Sequence, residues 1–112
     1  MKHIKKPIIY ISGHMSKFAT LRGRKKFNFD NFNGWAKYWR SCGYEVMNPA
    51  EHNTDTSKDW TWYIIEDLKW IRRKKPDFIF SLRDWQTSAG ACIERLAVIK
   101  NGGTPYNEED FV

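Results

Sequence analysis

The chain has 112 residues and a formal net charge of +6, because nineteen Lys and Arg oppose thirteen Asp and Glu. This length predicts a single domain over residues 1–112 that can bury a core without a disulfide or metal. Aromatic residues make up 16% of the chain, which argues against intrinsic disorder, and no apolar run approaches the roughly 20 residues that cross a bilayer. Cys42 and Cys92 form no Cys-x-x-Cys pair, so we expect no zinc or redox motif and a soluble, reducing, cytoplasmic setting without a secretory signal.

The charges are unevenly distributed along the chain. Residues 1–26 contain eight Lys or Arg and no acid, whereas residues 101–112 contain three acids and no cation. A basic N-terminal part favours an anionic ligand such as a phosphate, a nucleotide or a nucleic acid. A solvated basic surface explains the same composition equally well.

The first third of the chain predicts a strand, a loop and a helix. Pro7–Ile11 is short, apolar and β-branched, which is typical of a buried strand. Gly13–Lys26 is polar and basic, and it is predicted to be a long functional loop. A helix then starts near Asn28 or Asp30 and ends at Gly43. Its apolar face is spaced by three and four residues: Phe29, Phe32, Ala36, Trp39.

The middle of the chain repeats the strand and helix pattern. Tyr44–Met47 predicts a second strand, and Glu51–Lys58 predicts a polar loop. A second helix is capped by Ser57 or Asp59 and ends at Pro76. Its predicted apolar stripe consists of Thr61, Ile64, Ile65, Leu68 and Ile71.

The last third completes the alternation. Asp77–Leu82 predicts a third strand, Arg83–Ser88 a loop, Gly90–Lys100 a third helix, and Thr104–Tyr106 a short last strand. This order predicts an α/β fold with a short parallel sheet and helices on both faces. Ligands bind such sheets outside the carboxyl ends of the strands, where the polar loops of this chain are expected.

Two acids stand among helical neighbours that offer no positive charge. Three and four residues from Glu94 lie only small or apolar residues, and the same positions around Asp67 hold Tyr63, Ile64, Trp70 and Ile71. Buried carboxylates are costly and usually have a partner or a function. Each acid either pairs with a distant Arg, Lys or Tyr, or the two face one cleft as the nucleophile and acid/base of a retaining glycosidase.

The start of the third helix offers a further candidate site. Ser88 stands where an N-cap residue is expected, and Gly90 follows it. The backbone N–H groups of such a helix start can also bind an anion, and the two roles are compatible.

Several segments together resemble a known superfamily. They are Tyr10–Ser16, Asn28–Asn33, Gly43–Glu51, Asp67–Ile71, Asp77–Leu82 and Trp85–Glu94. In order and spacing the chain is similar to the nucleoside 2-deoxyribosyltransferase-like superfamily, and within it to the small, often phage-encoded proteins with a domain of unknown function (DUF4406). The resemblance covers about residues 7–105 and implies a flavodoxin-like three-layer sandwich, a homodimer, and cleavage of an N-glycosidic bond in a deoxynucleoside or deoxynucleotide.

The resemblance also implies residue roles. It makes Glu94 the nucleophile, places Asp67 near the leaving base or the sugar hydroxyls, and places Tyr10 beside the nucleophile. Substrate-binding positions correspond to Gly13, His14, Ser16, Ser88 and Gly90. His14 and Ser16 depart from the Ser and Arg that bind phosphate in the nucleotide hydrolases of the superfamily.

The sequence therefore favours hydrolysis of a 2′-deoxynucleoside 5′-monophosphate without a metal or another cofactor. The alternatives are base exchange between nucleosides, and a non-catalytic module that binds nucleotides or nucleic acid. Trp60, Trp62, Trp85 or Phe18 would stack on the base or pack in the core.

Overall fold

The computed structural model describes residues 5–19, 24–52 and 57–111, with the backbone alone for residues 16–19 and 24–27. Six strands are present in this part of the chain: β1 Ile8–Ser12, β2 Ser16–Ala19, β3 Arg24–Phe27, β4 Glu45–Met47, β5 Phe78–Ser81 and β6 Thr104–Asn107. The helices are α1 Phe29–Ser41, α2 Pro49–His52, α3 Trp60–Lys74 and α4 Ala89–Lys100. Two 3-10 turns cover Trp85–Thr87 and Glu108–Phe111.

Four strands form one parallel sheet in the order β4-β1-β5-β6. In the chain order of these four strands this is 2-1-3-4, the flavodoxin-like arrangement. The strand order reverses between β1 and β5, and ligands bind such sheets at the carboxyl side of this point. The predicted α/β fold is thereby confirmed.

The two faces of the sheet are covered by different helices. Ile9 and Ile11 of β1 pack against one core cluster that includes Phe32, Ala36 and Trp39 of α1. Ile8 and Tyr10 point to the opposite face, where Ile71 of α3 and Val98 of α4 complete a second cluster. Because successive side chains of a strand point to opposite faces, β1 is buried on both sides. The result is a three-layer sandwich.

The segment 13–26, predicted to be a loop, is partly a hairpin. β2 and β3 pair antiparallel, with Ser16 opposite Phe27 and Ala19 opposite Arg24. No strand is predicted here from the sequence, because the segment lacks an alternating apolar pattern. The polar loop predicted over 51–58 is also shorter, since α2 extends to His52 and residues 53–56 lie outside the described part.

The predicted apolar stripe of α3 is wrong at two positions. Thr61 and Ile65 are exposed, and Ile65 retains 46% of its accessible surface. The core-facing positions of α3 are Asp67 and Ile71. Because one of these positions holds an acid, the apolar residues alone define a stripe that is rotated towards Ile65.

Candidate active site at the carboxyl edge of the sheet

The carboxyl end of β1 places two hydroxyl groups on the face covered by α4. Tyr10 and Ser12 are two residues apart on the strand, so their side chains point the same way. The Tyr10 hydroxyl donates a hydrogen bond of 2.9 Å to Oε2 of Glu94, and the Ser12 hydroxyl donates one of 2.6 Å to Oε1. Glu94 retains only 5% of its accessible surface. Both oxygens of a buried carboxyl group are therefore held by β1.

Asp67 reaches the same point from α3. It is buried, and its carboxyl group lies close enough to the Tyr10 hydroxyl and the Glu94 carboxyl group to raise the pKa of both. In the described part of the chain no Lys or Arg forms an ion pair with Glu94. The two acids singled out in the sequence are thus brought together in one buried cluster with Tyr10.

Burial is the largest influence on the acid–base properties of this cluster. It raises the pKa of Glu94 well above its ordinary value, and the charge and hydrogen bond of Asp67 raise it further. The hydrogen bonds from Ser12 and Tyr10 act in the opposite direction, because they stabilise the carboxylate. Burial, followed by the charges of Glu94 and Asp67, also raises the pKa of Tyr10, so its hydroxyl stays protonated.

Two buried carboxyl groups that raise each other's cost of ionisation favour sharing one proton. Two carboxyl groups form a hydrogen bond only when one of them is protonated. Burial and mutual repulsion therefore favour a single negative charge on the pair, and the hydrogen bonds from Ser12 and Tyr10 stabilise the form in which Glu94 carries it.

The residues that follow β1 connect it to the turn before α4. A Cβ atom at Gly13 would lie 2.7 Å from Cβ of Leu82, so only glycine permits this close approach of the two chain segments. Nε2 of His14 lies 2.6 Å from Oγ1 of Thr87, within hydrogen-bonding distance. The backbone carbonyl of His14 accepts a hydrogen bond from Nδ2 of Asn28. Gly13 and His14 thus lie at the same edge as the acids.

The start of α4 is fixed by capping and by close packing. The Ser88 hydroxyl accepts a hydrogen bond of 3.2 Å from the backbone N–H of Ala91, which confirms its role as N-cap. A Cβ atom at Gly90 would lie 2.8 Å from Cδ1 of Ile64 in α3. Gly90 therefore allows α3 and α4 to approach, and this approach brings Asp67 to Glu94.

The remaining sequence-predicted residues are less closely tied to the acids. Ser16 is the first residue of β2, and its side chain, like that of Phe18, lies outside the described atoms. Trp60 is 55% exposed and lies beside Gly90. Trp62 contacts Tyr63 and Lys58, and Trp85 lies 4.1 Å below the guanidinium group of Arg95. No tryptophan is thereby identified as a base-stacking residue.

Sequence reasoning missed Ser12 and Arg95. The predicted strand ends at Ile11, whereas β1 includes Ser12, whose spacing of two from Tyr10 places both side chains on one face. Arg95 follows Glu94 directly, and its hydrogen bonds go to Ser81 and Asn107, which are far away in sequence. No local pattern reveals those partners.

Within residues 5–19, 24–52 and 57–111, no three His, Cys, Asp or Glu side chains are grouped so that they could hold a metal ion. No helix in that part of the chain is both long and apolar enough to span a bilayer.

Comparison with known proteins gives a single match. A family model described as a domain of unknown function (DUF4406) matches residues 7–105. No curated protein and no solved structure matches the chain. Since the family model covers most of the sequence, the chain belongs to the DUF4406 family.

Proposed function

We propose that this protein hydrolyses the N-glycosidic bond of a 2′-deoxynucleoside 5′-monophosphate, with Glu94 as the nucleophile. The observation that carries the proposal is the buried contact between Glu94 and Asp67 at the point of the sheet where ligands bind. A pair of carboxyl groups that shares one proton supplies both a nucleophile and an acid. The resemblance to the nucleoside 2-deoxyribosyltransferase-like superfamily supports the same roles.

In the first step, a carboxylate oxygen of Glu94 forms a bond to C1′ of the sugar. The bond between C1′ and the base nitrogen breaks, its electron pair goes to the base, and Asp67 gives its proton to the base. The products of this step are the neutral base, a glycosyl ester on Glu94 and the carboxylate of Asp67.

In the second step, the carboxylate of Asp67 takes a proton from a water molecule as that water attacks C1′. The ester bond to Glu94 breaks and its electron pair returns to Glu94 as the carboxylate. Asp67 is protonated again, so the pair regains its starting state.

Tyr10 and Ser12 act as positioning residues in this scheme. Each donates a hydrogen bond to a different oxygen of Glu94, which fixes the carboxylate and lowers its pKa. Developing positive charge on the sugar ring is stabilised by the same carboxylate. A sugar without a 2′-hydroxyl forms this cation more readily and leaves room for close approach of Glu94.

The phosphate is proposed to bind near the start of α4. The Ser88 hydroxyl accepts its hydrogen bond from Ala91 and still has a proton to donate to a phosphate oxygen. The net positive charge of the chain favours an anionic substrate over a nucleoside. The homodimer and the cytoplasmic location expected from the sequence stay predictions.

The test is incubation of the protein with a panel of deoxynucleoside and ribonucleoside monophosphates, followed by chromatography for free base. Glu94→Gln keeps the size of the side chain and should abolish base release. The matched control is Glu66→Gln, since Glu66 lies on the solvent side of α3 and forms an ion pair with Lys69.

Three outcomes separate the hypotheses. Free base that disappears in Glu94→Gln supports hydrolysis. Exchange of bases between deoxynucleosides, without net release, would identify a transferase that uses the same nucleophile. Base release that persists in Glu94→Gln would refute the assignment of Glu94.

A further inference from the structure

Arg95 occupies an unusual position at the carboxyl edge of the sheet. Its NH1 nitrogen donates hydrogen bonds of 2.8 Å to Oγ of Ser81 and 2.9 Å to Oδ1 of Asn107. The guanidinium carbon lies 4.1 Å from the ring centroid of Trp85. These contacts hold the planar group in one orientation.

The anchors of Arg95 are neighbours of the anchor of Glu94. Ser12 is the register partner of Ser81, and Ser81 is the register partner of Asn107. Adjacent strands of a sheet are about 4.8 Å apart, and register partners point to the same face. Glu94 is held at Ser12, and Arg95 is held at the next two strands. Both side chains are therefore anchored at the carboxyl ends of neighbouring strands, at the ligand-binding edge.

Arg95 has no carboxylate partner among the residues that the structure describes. Both of its hydrogen-bond acceptors are neutral, and they use only NH1. Within the same set of residues, Nε and NH2 make no hydrogen bond to the protein. The side chain is half-buried, and this burial lowers its pKa. A half-buried cation without a counter-charge is costly, and an anion that binds to it offsets that cost.

We propose that Arg95 binds the phosphate group of the substrate through its two remaining nitrogens. The proposal rests on the function proposed above and names the residue that recognises its anionic substrate. A guanidinium group presents its donors as a rigid fork that matches the oxygens of a phosphate. Trp85, Ser81 and Asn107 hold the fork in place, so little conformational freedom is lost when the phosphate binds.

The test compares substrates with and without the phosphate. Arg95→Gln should lower kcat/KM for a deoxynucleoside monophosphate by about 10- to 100-fold, the range supplied by hydrogen bonds to charged groups. The change should appear as a higher KM for the nucleotide, and kcat/KM for the deoxynucleoside, which lacks the phosphate, should be unaffected. Arg95→Lys keeps the positive charge but not the forked arrangement of donors, so its kcat/KM should lie between those of the wild type and Arg95→Gln. Arg83→Gln is the control, because this arginine is exposed, and among the described residues its hydrogen bond to Glu108 comes from the backbone N–H and not from the side chain.

A binding measurement separates this proposal from the glycosidase proposal. Calorimetric titration of Glu94→Gln with the deoxynucleoside monophosphate, and with inorganic phosphate, requires no turnover. Binding that is lost on adding Arg95→Gln or weakened by Arg95→Lys supports the anion site even if the wild-type protein releases no base. Two results would overturn the proposal: folded Arg95 variants that bind the nucleotide as tightly as the parent protein, or variants that lose affinity for the deoxynucleoside as much as for the nucleotide. Either result would show that Arg95 only connects α4 to the sheet.

Discussion

Substitution of Tyr10 by Phe tests how the hydroxyl groups of β1 control Glu94. The change removes the donor that lies 2.9 Å from Oε2 of Glu94. It leaves the aromatic ring, which is fully buried and meets Trp70 edge-on with 5.8 Å between ring centroids. Packing is therefore preserved while one hydrogen bond to the carboxylate is lost.

The size of the effect follows from the nature of this hydrogen bond. A hydrogen bond to a charged group contributes about 1.5–3 kcal/mol, and one pKa unit corresponds to about 1.4 kcal/mol. Tyr10 stabilises the charged form of Glu94, so its removal should raise the pKa of the carboxyl group further. At a pH below the wild-type pKa, where little carboxylate exists, activity should fall about 10- to 100-fold.

The assay is kcat/KM for base release as a function of pH. The acidic limb of the profile should move to higher pH in Tyr10→Phe, and Ser12→Ala should move it in the same direction because its bond to Oε1 is also lost. Tyr44→Phe is the control, since Tyr44 packs against the opposite core cluster. An unshifted acidic limb in a folded Tyr10→Phe protein would refute the electrostatic role of Tyr10.

Three further predictions concern stability and binding. Because the pKa of Glu94 is raised in the folded state, this group contributes stability at a pH below its unfolded pKa near 4.5, and the contribution is lost as the pH rises through the folded pKa. The difference in unfolding free energy between wild type and Glu94→Gln, measured in urea, should therefore change with pH. Parallel curves of unfolding free energy against pH would contradict this. Gly90→Ala should lower the unfolding free energy measured in urea by about 1–3 kcal/mol, because its Cβ would lie 2.8 Å from Ile64. Gly34→Ala in α1 is the control: its Cβ would enter open space, so the unfolding free energy should rise by up to about 1 kcal/mol. Equal effects of the two substitutions would exclude the close approach of α3 and α4. Ser88→Ala should cost about 1 kcal/mol through loss of the N-cap and should raise KM for the nucleotide but not for the deoxynucleoside, while an unchanged nucleotide KM would remove Ser88 from the phosphate site.

Local patterns in the sequence predict most of the architecture. Strand and helix periodicity sets which neighbouring residues share a face. This is why the sequence predicts the apolar runs of β1 and β5 and the buried face of α1, formed by Phe32, Ala36 and Trp39. The pattern failed at β2 and β3, where basic residues leave no alternation, and at Ile65, where the buried Asp67 disrupts the apolar stripe.

The sequence also determined that Glu94 and Asp67 lack positively charged helical neighbours, because residues three and four positions away are fixed by helix geometry. Only the tertiary structure decided that the two acids meet, that Ser12 holds one of them, and that Arg95 is anchored at the same edge of the sheet. These contacts join α3, α4 and the sheet. They depend on how closely whole elements pack, which local periodicity does not encode.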